Sequence, residues 1–263
     1  MQLNKLVVST LVVALFALQG CGGGGGGSGN GGGSISAAPP VPTPTAEGAY
    51  YGSLSDGRQH YTLVLENGQF YTLYGSTISN VFAVSGFLQG NGSSTNGSYS
   101  ATDVKDASSN SNTLASGSLS ATYTAGSSFN GTFTEGTSSV SFTGAGLAAS
   151  VYNYSTAASL SAVIGSWNMT SLHGYSTTLD ISSSGAFTAT SSGCSFSGTM
   201  KPRSSGKNVL DVALTFGAAP CILAGQSLNG IAINYALSNG QHQLAIVMLD
   251  QARINSSAFF GIR

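Results

Sequence analysis

The chain has 263 residues, with 8 Lys+Arg against 9 Asp+Glu, and only 6% of it is charged, against about 25% in an ordinary globular chain. Neutralising nucleic-acid phosphates needs clustered basic side chains, so this composition excludes an electrostatic nucleic-acid binder. With 41% apolar and 9% aromatic residues, it is not a charge-driven disordered chain either.

Residues 1–20 read as an export signal. Lys5 supplies the positive start, and Leu6–Leu18 is an apolar run of 13 residues, too short to span a bilayer core of about 30 Å. Leu18-Gln19-Gly20-Cys21 resembles a bacterial lipobox, whose cysteine is lipidated and becomes the mature N-terminus. Several acyl chains on Cys21 would anchor the protein stably, where one alone binds only marginally. Residues 21–46 then form an uncharged stretch, in which ten glycines fall between Gly22 and Gly33 and four prolines between Pro39 and Pro44. Glycine offers no side chain to pack and proline favours extended backbone. This segment is expected to be a tether of roughly 25–30 Å root-mean-square reach.

From Glu47 onward, apolar and polar residues alternate. Tyr61, Leu63 and Leu65 alternate with Thr62, Val64 and Glu66, and an Asn67-Gly68 corner leads into Phe70–Tyr74. Asn-Gly between two such runs is a strong hairpin signal. Farther on, Leu210, Val212, Leu214 and Phe216 share one face, as do Ile231, Ile233, Tyr235 and Leu237. Period two predicts half-buried antiparallel strands, about eight in each half of the chain. The halves are similar at offsets of 112 to 117 residues: Gly48 and Tyr50 parallel Gly165 and Trp167, Phe70 parallels Phe187, and Ser85-Gly86 parallels Ser197-Gly198. The expected fold is all-β: two small antiparallel barrel-like lobes over 47–150 and 164–263, each burying its own core. A linker over 151–163 carries a helical turn or two from Ser155 to Val163.

Chemistry is sparse. Cys194 and Cys221 lie in the second lobe behind an export signal and lack Cys-x-x-Cys spacing, which points to a disulfide. No Gly-x-Ser-x-Gly elbow or His-Glu-x-x-His motif occurs. His60, His173 and His242 read as separate residues of turns or strand ends, Asp103 and Asp106 as members of a Ser/Asn-rich loop, and Glu66, Asp56, Asp180 and Asp211 as solvated charges. Lys201, Arg203 and Lys207 form one basic cluster, expected at a solvated hairpin tip. Tyr71, Tyr74, Tyr99, Tyr123, Tyr152 and Tyr154 are expected to pack within or across strands. No catalytic, metal or cofactor-binding residue is expected.

The lipobox, the polyglycine tether, the Gly-x-Tyr/Trp openings, Gly193-Cys194-Ser195-Phe196-Ser197-Gly198, Phe216-Gly217 to Cys221 and Gly230-Ile231-Ala232 together resemble a group of proteobacterial outer-membrane lipoproteins with a duplicated β-domain. More distantly, a Gly-rich anchor before barrel lobes is similar in architecture to surface lipoproteins such as the transferrin-binding and factor H-binding proteins, an analogy that carries over no functional residue. The expectation is a monomeric, non-catalytic binding module anchored to the outer membrane through Cys21 and displayed at the cell surface rather than on the periplasmic face. Its partner would be a macromolecule or a small apolar ligand. The alternatives are an envelope-structural or periplasmic accessory role, or a lipocalin-like carrier, which needs an open cavity in one lobe.

Overall fold

The computed structural model describes residues 44–79 and 81–263; Cys21, the lipobox and most of the expected tether lie outside them. The chain forms two closed antiparallel barrels of eight strands each. The first runs β1 (Gly48–Leu54), β2 (Gln59–Val64), β3 (Gln69–Ile78), β4 (Val81–Thr95), β5 (Ser98–Ser108), β6 (Ala115–Thr124), β7 (Ser128–Glu135) and β8 (Ser138–Gly146). The second runs β9 (Gly165–Ser171), β10 (Ser176–Ile181), β11 (Ala186–Ser191), β12 (Cys194–Pro202), β13 (Leu210–Phe216), β14 (Ser227–Ala236), β15 (His242–Leu249) and β16 (Ser256–Ile262). Each strand pairs with its neighbours in sequence, and the last closes on the first through β1–β8 and β9–β16. Closure leaves no open sheet edge.

The predicted corner at Asn67-Gly68 is a tight turn. Gly68 has φ 82°, its amide donates to the Leu65 carbonyl at 3.0 Å, and the Gln69 amide donates to the Asn67 side chain at 3.1 Å. The duplication is visible in how each barrel is plugged. Tyr50 and Trp167 point inward from the first strand of their barrel. The Tyr50 hydroxyl donates to the Ala46 carbonyl at 2.8 Å and the Trp167 indole to the Val163 carbonyl at 2.7 Å, both four residues upstream. Ala46 and Val163 are themselves 0% exposed. Residues 44–46, expected to belong to the tether, are therefore part of the first barrel. The Tyr123 hydroxyl also holds the Pro44 carbonyl at 2.7 Å, and the Ala46 amide donates to Ser94 at 3.0 Å.

One predicted parallel is corrected. Phe70 pairs with Gly90 as Phe187 pairs with Gly198; each ring lies where a Cβ on that glycine would be, at 2.6 Å. Gly198 thus matches Gly90 and not Gly86. The first barrel has a longer β3–β4 hairpin, with a bulge at Tyr74/Gly75. Asp103 and Asp106, expected in a loop, lie on β5. The expected helix over Ser155–Val163 is a single 3-10 turn, Leu160–Ala162. Backbone and side-chain bonds of its Ser/Thr-rich start go elsewhere: Thr156 Oγ1 donates to the Asn153 carbonyl and the Ala158 amide to the Lys207 carbonyl.

On two strands the larger apolar row faces away from its own barrel. His60, Thr62 and Val64 point into the first barrel, and Leu63 and Leu65 point out. The outward row joins Tyr71, Leu73, Phe82, Ile231, Tyr235, Val247 and Leu249 in a second core that lies between the barrels. Ile231 and Tyr235 of β14 are likewise outward residues buried by the neighbour, while Ala232 faces its own barrel's interior. Each lobe therefore buries an interior core of its own, as expected, and the two share a further core between them. The basic cluster is corrected with it. Arg203 pairs with Glu66 at 2.8 Å and Asp211 at 2.6 Å, and Lys207 pairs with Glu47 at 2.6 Å, so both tie the second barrel to the first. Lys201 alone of the three is exposed.

Candidate functional site

The two interiors differ in how they are filled. The second is packed by Trp167, Met169, Phe196, Met200, Phe216, Met248, Phe259 and their neighbours, leaving a void of about 10 Å³. The first is sealed at the Tyr50 end by Phe70, Tyr99 and Phe129, stacked edge-on and face-to-face at 5.3 to 6.0 Å. Toward the opposite end it holds a cavity of about 170 Å³. A dry cavity of about 150 Å³ is enough to take benzene.

The register shows why only one barrel is hollow. On β2 and β3, Val64 faces Phe70, Thr62 faces Thr72 and His60 faces Tyr74; on β10 and β11 the equivalent pairs are Ile181–Phe187, Leu179–Ala189 and Thr177–Ser191. At the level where the second barrel packs Leu179 against Ala189, the first places two threonine hydroxyls 2.9 Å apart.

These threonines extend a hydrogen-bonded chain to His60, which is 0% exposed. His60 Nε2 lies 3.0 Å from the Thr143 carbonyl and Nδ1 lies 2.9 Å from Thr62 Oγ1. A carbonyl can only accept, so Nε2 carries the proton. Burial holds the ring's pKa below its ordinary value, although the Thr143 carbonyl opposes this, and the imidazole is neutral near pH 7. Nδ1 then accepts from Thr62, and Thr62 accepts from Thr72. Gly144 makes room for the ring, since a Cβ there would stand 3.1 Å from its Cε1.

The mouth is polar. The Tyr74 hydroxyl donates to Asp106 Oδ1 at 2.6 Å, and a Cβ on Gly86 would overlap the Tyr74 ring at 2.1 Å. Arg58 lies 4.3 Å above that ring and donates twice to Asp56 Oδ2, from Nε at 2.9 Å and from Nη2 at 2.5 Å. Burial raises the Asp106 pKa; the Tyr74 bond opposes this and the charge of Glu135 adds to it. Burial and the Asp106 carboxylate raise Tyr74, which therefore stays a phenol donor. Leu88, Leu119, Phe133, Val140 and Phe142 form the walls.

Cys21 lies outside the described residues. Cys194 and Cys221 are joined in a disulfide that ties the start of β12 to the loop before β14, and neither lines the cavity. The three histidines are not brought together, and among the described residues no three of His, Cys, Asp and Glu gather as metal ligands. As expected, His60 lies near a strand end, second in β2, His173 in a turn and His242 at the start of β15; His60 is nevertheless buried inside the barrel, whereas His173 and His242 are exposed. The six singled-out tyrosines are all buried, in line with packing. Sequence reasoning missed the cavity because alternation does not say which row of a strand is inside, and His60, Thr62 and Thr72 lie in the less apolar rows. The signal lies in the alignment of the halves at an offset of 117, where they stand opposite Thr177, Leu179 and Ala189.

No family model matches the chain, and no curated protein matches it. Among solved structures it is similar to a protein of unknown function of the DUF3598 family from Nostoc punctiforme, at 10% identity and a TM-score of 0.24, over 82% of this chain and 94% of that one. So loose a likeness carries no argument about ligand or role.

Proposed function

We propose that this protein is a non-catalytic, lipocalin-like carrier or binding module that holds one small ligand in its first barrel, while the second barrel is a packed support. The observation that carries this reading is the contrast between sibling barrels, one filled to about 10 Å³ and the other keeping about 170 Å³. Packing to crystal-like density is the default for a protein interior. A void kept open by buried polar side chains costs stability, as a ligand site does and a purely structural barrel need not. The test is to recover the protein from its own cells, denature it and identify released small molecules by mass spectrometry. A compound of about benzene size, near one per chain and absent from a cavity-filled Thr72→Phe variant of unchanged circular dichroism, is expected. Extracts equally empty for both proteins would overturn the reading.

The anchor belongs to the same proposal. Acylation of Cys21 would hold the barrels to the outer membrane on the tether that ends at residue 43, facing the cell exterior. A Cys21→Ser variant should lose incorporation of a fatty-acid analogue. Brief protease treatment of intact cells should nick the Gly/Pro-rich segment. Unchanged labelling would remove the anchor, and full protection from protease would place the barrels in the periplasm.

A further inference from the structure

Resting on the reading of the first barrel as a ligand site, we propose that its ligand is a small organic ammonium ion with a compact apolar body. The argument is a count of donors and acceptors around the cavity. The floor offers no free donor: His60 Nε2–H is given to the Thr143 carbonyl, Thr62 to His60 Nδ1 and Thr72 to Thr62. What remains on the floor is acceptor capacity, the lone pairs of Thr72 Oγ1. At the mouth the Tyr74 proton is given to Asp106, leaving that carboxylate's second oxygen to accept. The positive charge of Arg58 is matched by Asp56. Asp106 and Glu135 both line the cavity, and neither forms an ion pair among the described residues. Arg58 lines the same cavity and its charge reaches Asp106, but it is bound to Asp56, so the two carboxylates of the lining outnumber its one cation.

An anion would meet two carboxylates against one guanidinium already held by Asp56, and a neutral acceptor would find donors only at the rim, on Arg58 and Ser138. An ammonium group supplies what is lacking: positive charge and several N–H donors for a carboxylate pair and a hydroxyl oxygen. The walls suit the rest of such a molecule. Phe133 and Phe142 present aromatic surface, which attracts a cation electrostatically as well as covering an apolar body. The volume of about 170 Å³ limits that body to about one six-membered ring with a short arm.

The experiment is a calorimetric titration of the protein as cells produce it with three probes of one shape: benzylammonium, benzyl alcohol and benzoate, near pH 7. Benzylammonium is expected to bind at least about tenfold more tightly than benzyl alcohol, as a charge-assisted hydrogen bond allows, and benzoate least. Asp106→Asn and Glu135→Gln, tested singly and together, should each reduce that preference and leave the affinity for benzyl alcohol nearly unchanged. Equal affinity for the amine and the alcohol, or a preference for benzoate, would overturn the ammonium inference and leave the cavity standing as a binding site. Failure of all three probes to bind would overturn the inference together with the site.

Discussion

His60 is the residue on which the interior of the first barrel turns. It is wholly buried and neutral, held between a carbonyl and a hydroxyl, and its pKa lies below 6.5 because burial disfavours the cation. As pH falls below 6.5, the unfolded chain takes up a proton that the folded one refuses, so stability declines until the folded pKa is reached. Asp106 acts in the opposite sense. Its folded pKa is raised above 3.8, so the folded state gains relative to the unfolded as pH falls through that window. The two effects separate by difference. Urea midpoints of the protein and of His60→Gln, compared at pH 7.5 and pH 5, should show the wild-type advantage shrinking on acidification; a constant gap would refute the neutral, buried imidazole. Asp106→Asn keeps an acceptor for Tyr74 and removes a charge that burial disfavours, so its melting temperature near pH 7 should equal or exceed that of the wild type. A clear drop would mean that the carboxylate is stabilising where it stands.

Among the elements, β15 and β2 are the informative ones. Seven of the eight residues of β15 are buried, on both faces, and its run Leu244-Ala245-Ile246-Val247-Met248-Leu249 has the continuous apolar character of a doubly covered strand. On β2 and the residue after it, the alternating row Tyr61, Leu63 and Leu65 marks the contact between barrels, and the less apolar row lines the interior. The Cys194–Cys221 bridge closes a loop of 27 residues and constrains the second barrel at β12. Cys194→Ala with Cys221→Ala should cost about 3–4 kcal/mol in the chain-entropy account, read as a lower denaturant midpoint with a slope that rises as the unfolded chain expands. A loss below about 1 kcal/mol would mean that the unfolded chain is already compact around that loop.

At the scale of the molecule, the barrels behave as one body because the core between them draws on both, and Arg203–Glu66, Lys207–Glu47 and Arg253–Asp103 bind its rim. A sequence pattern alone had suggested separable lobes. With a shared core, destabilising either barrel destabilises both. Ile231→Ala, at the contact, should cost about 2–5 kcal/mol and leave a single calorimetric transition at lower temperature. Two resolved transitions, with the first barrel unmoved, would show that the contact contributes little. The same logic applies to the disulfide variant, in which signals from Tyr50 and Trp167, one in each barrel, should be lost together.

The alternation of apolar residues by itself determined the all-β class, eight strands to a half and the corner at Asn67-Gly68. The duplication was legible from Gly48-x-Tyr50 against Gly165-x-Trp167, and the disulfide from the two cysteines of the second half, Cys194 and Cys221. Each of these rests on a local property: a period of two residues, a turn that needs positive φ, a pair of cysteines without Cys-x-x-Cys spacing. Only the tertiary structure decided which face of β2 and β14 is inside, that residues 44–46 plug a barrel, and that Arg203 and Lys207 bridge two barrels. It also placed His60, Thr62, Thr72 and Asp106 around one cavity. A strand covered on both sides offers two candidate faces, and period two cannot rank them. What ranks them is closure: once the sheet curls, one row of each strand is enclosed by its own barrel, and on β2 and β14 the other row is covered by the neighbouring barrel.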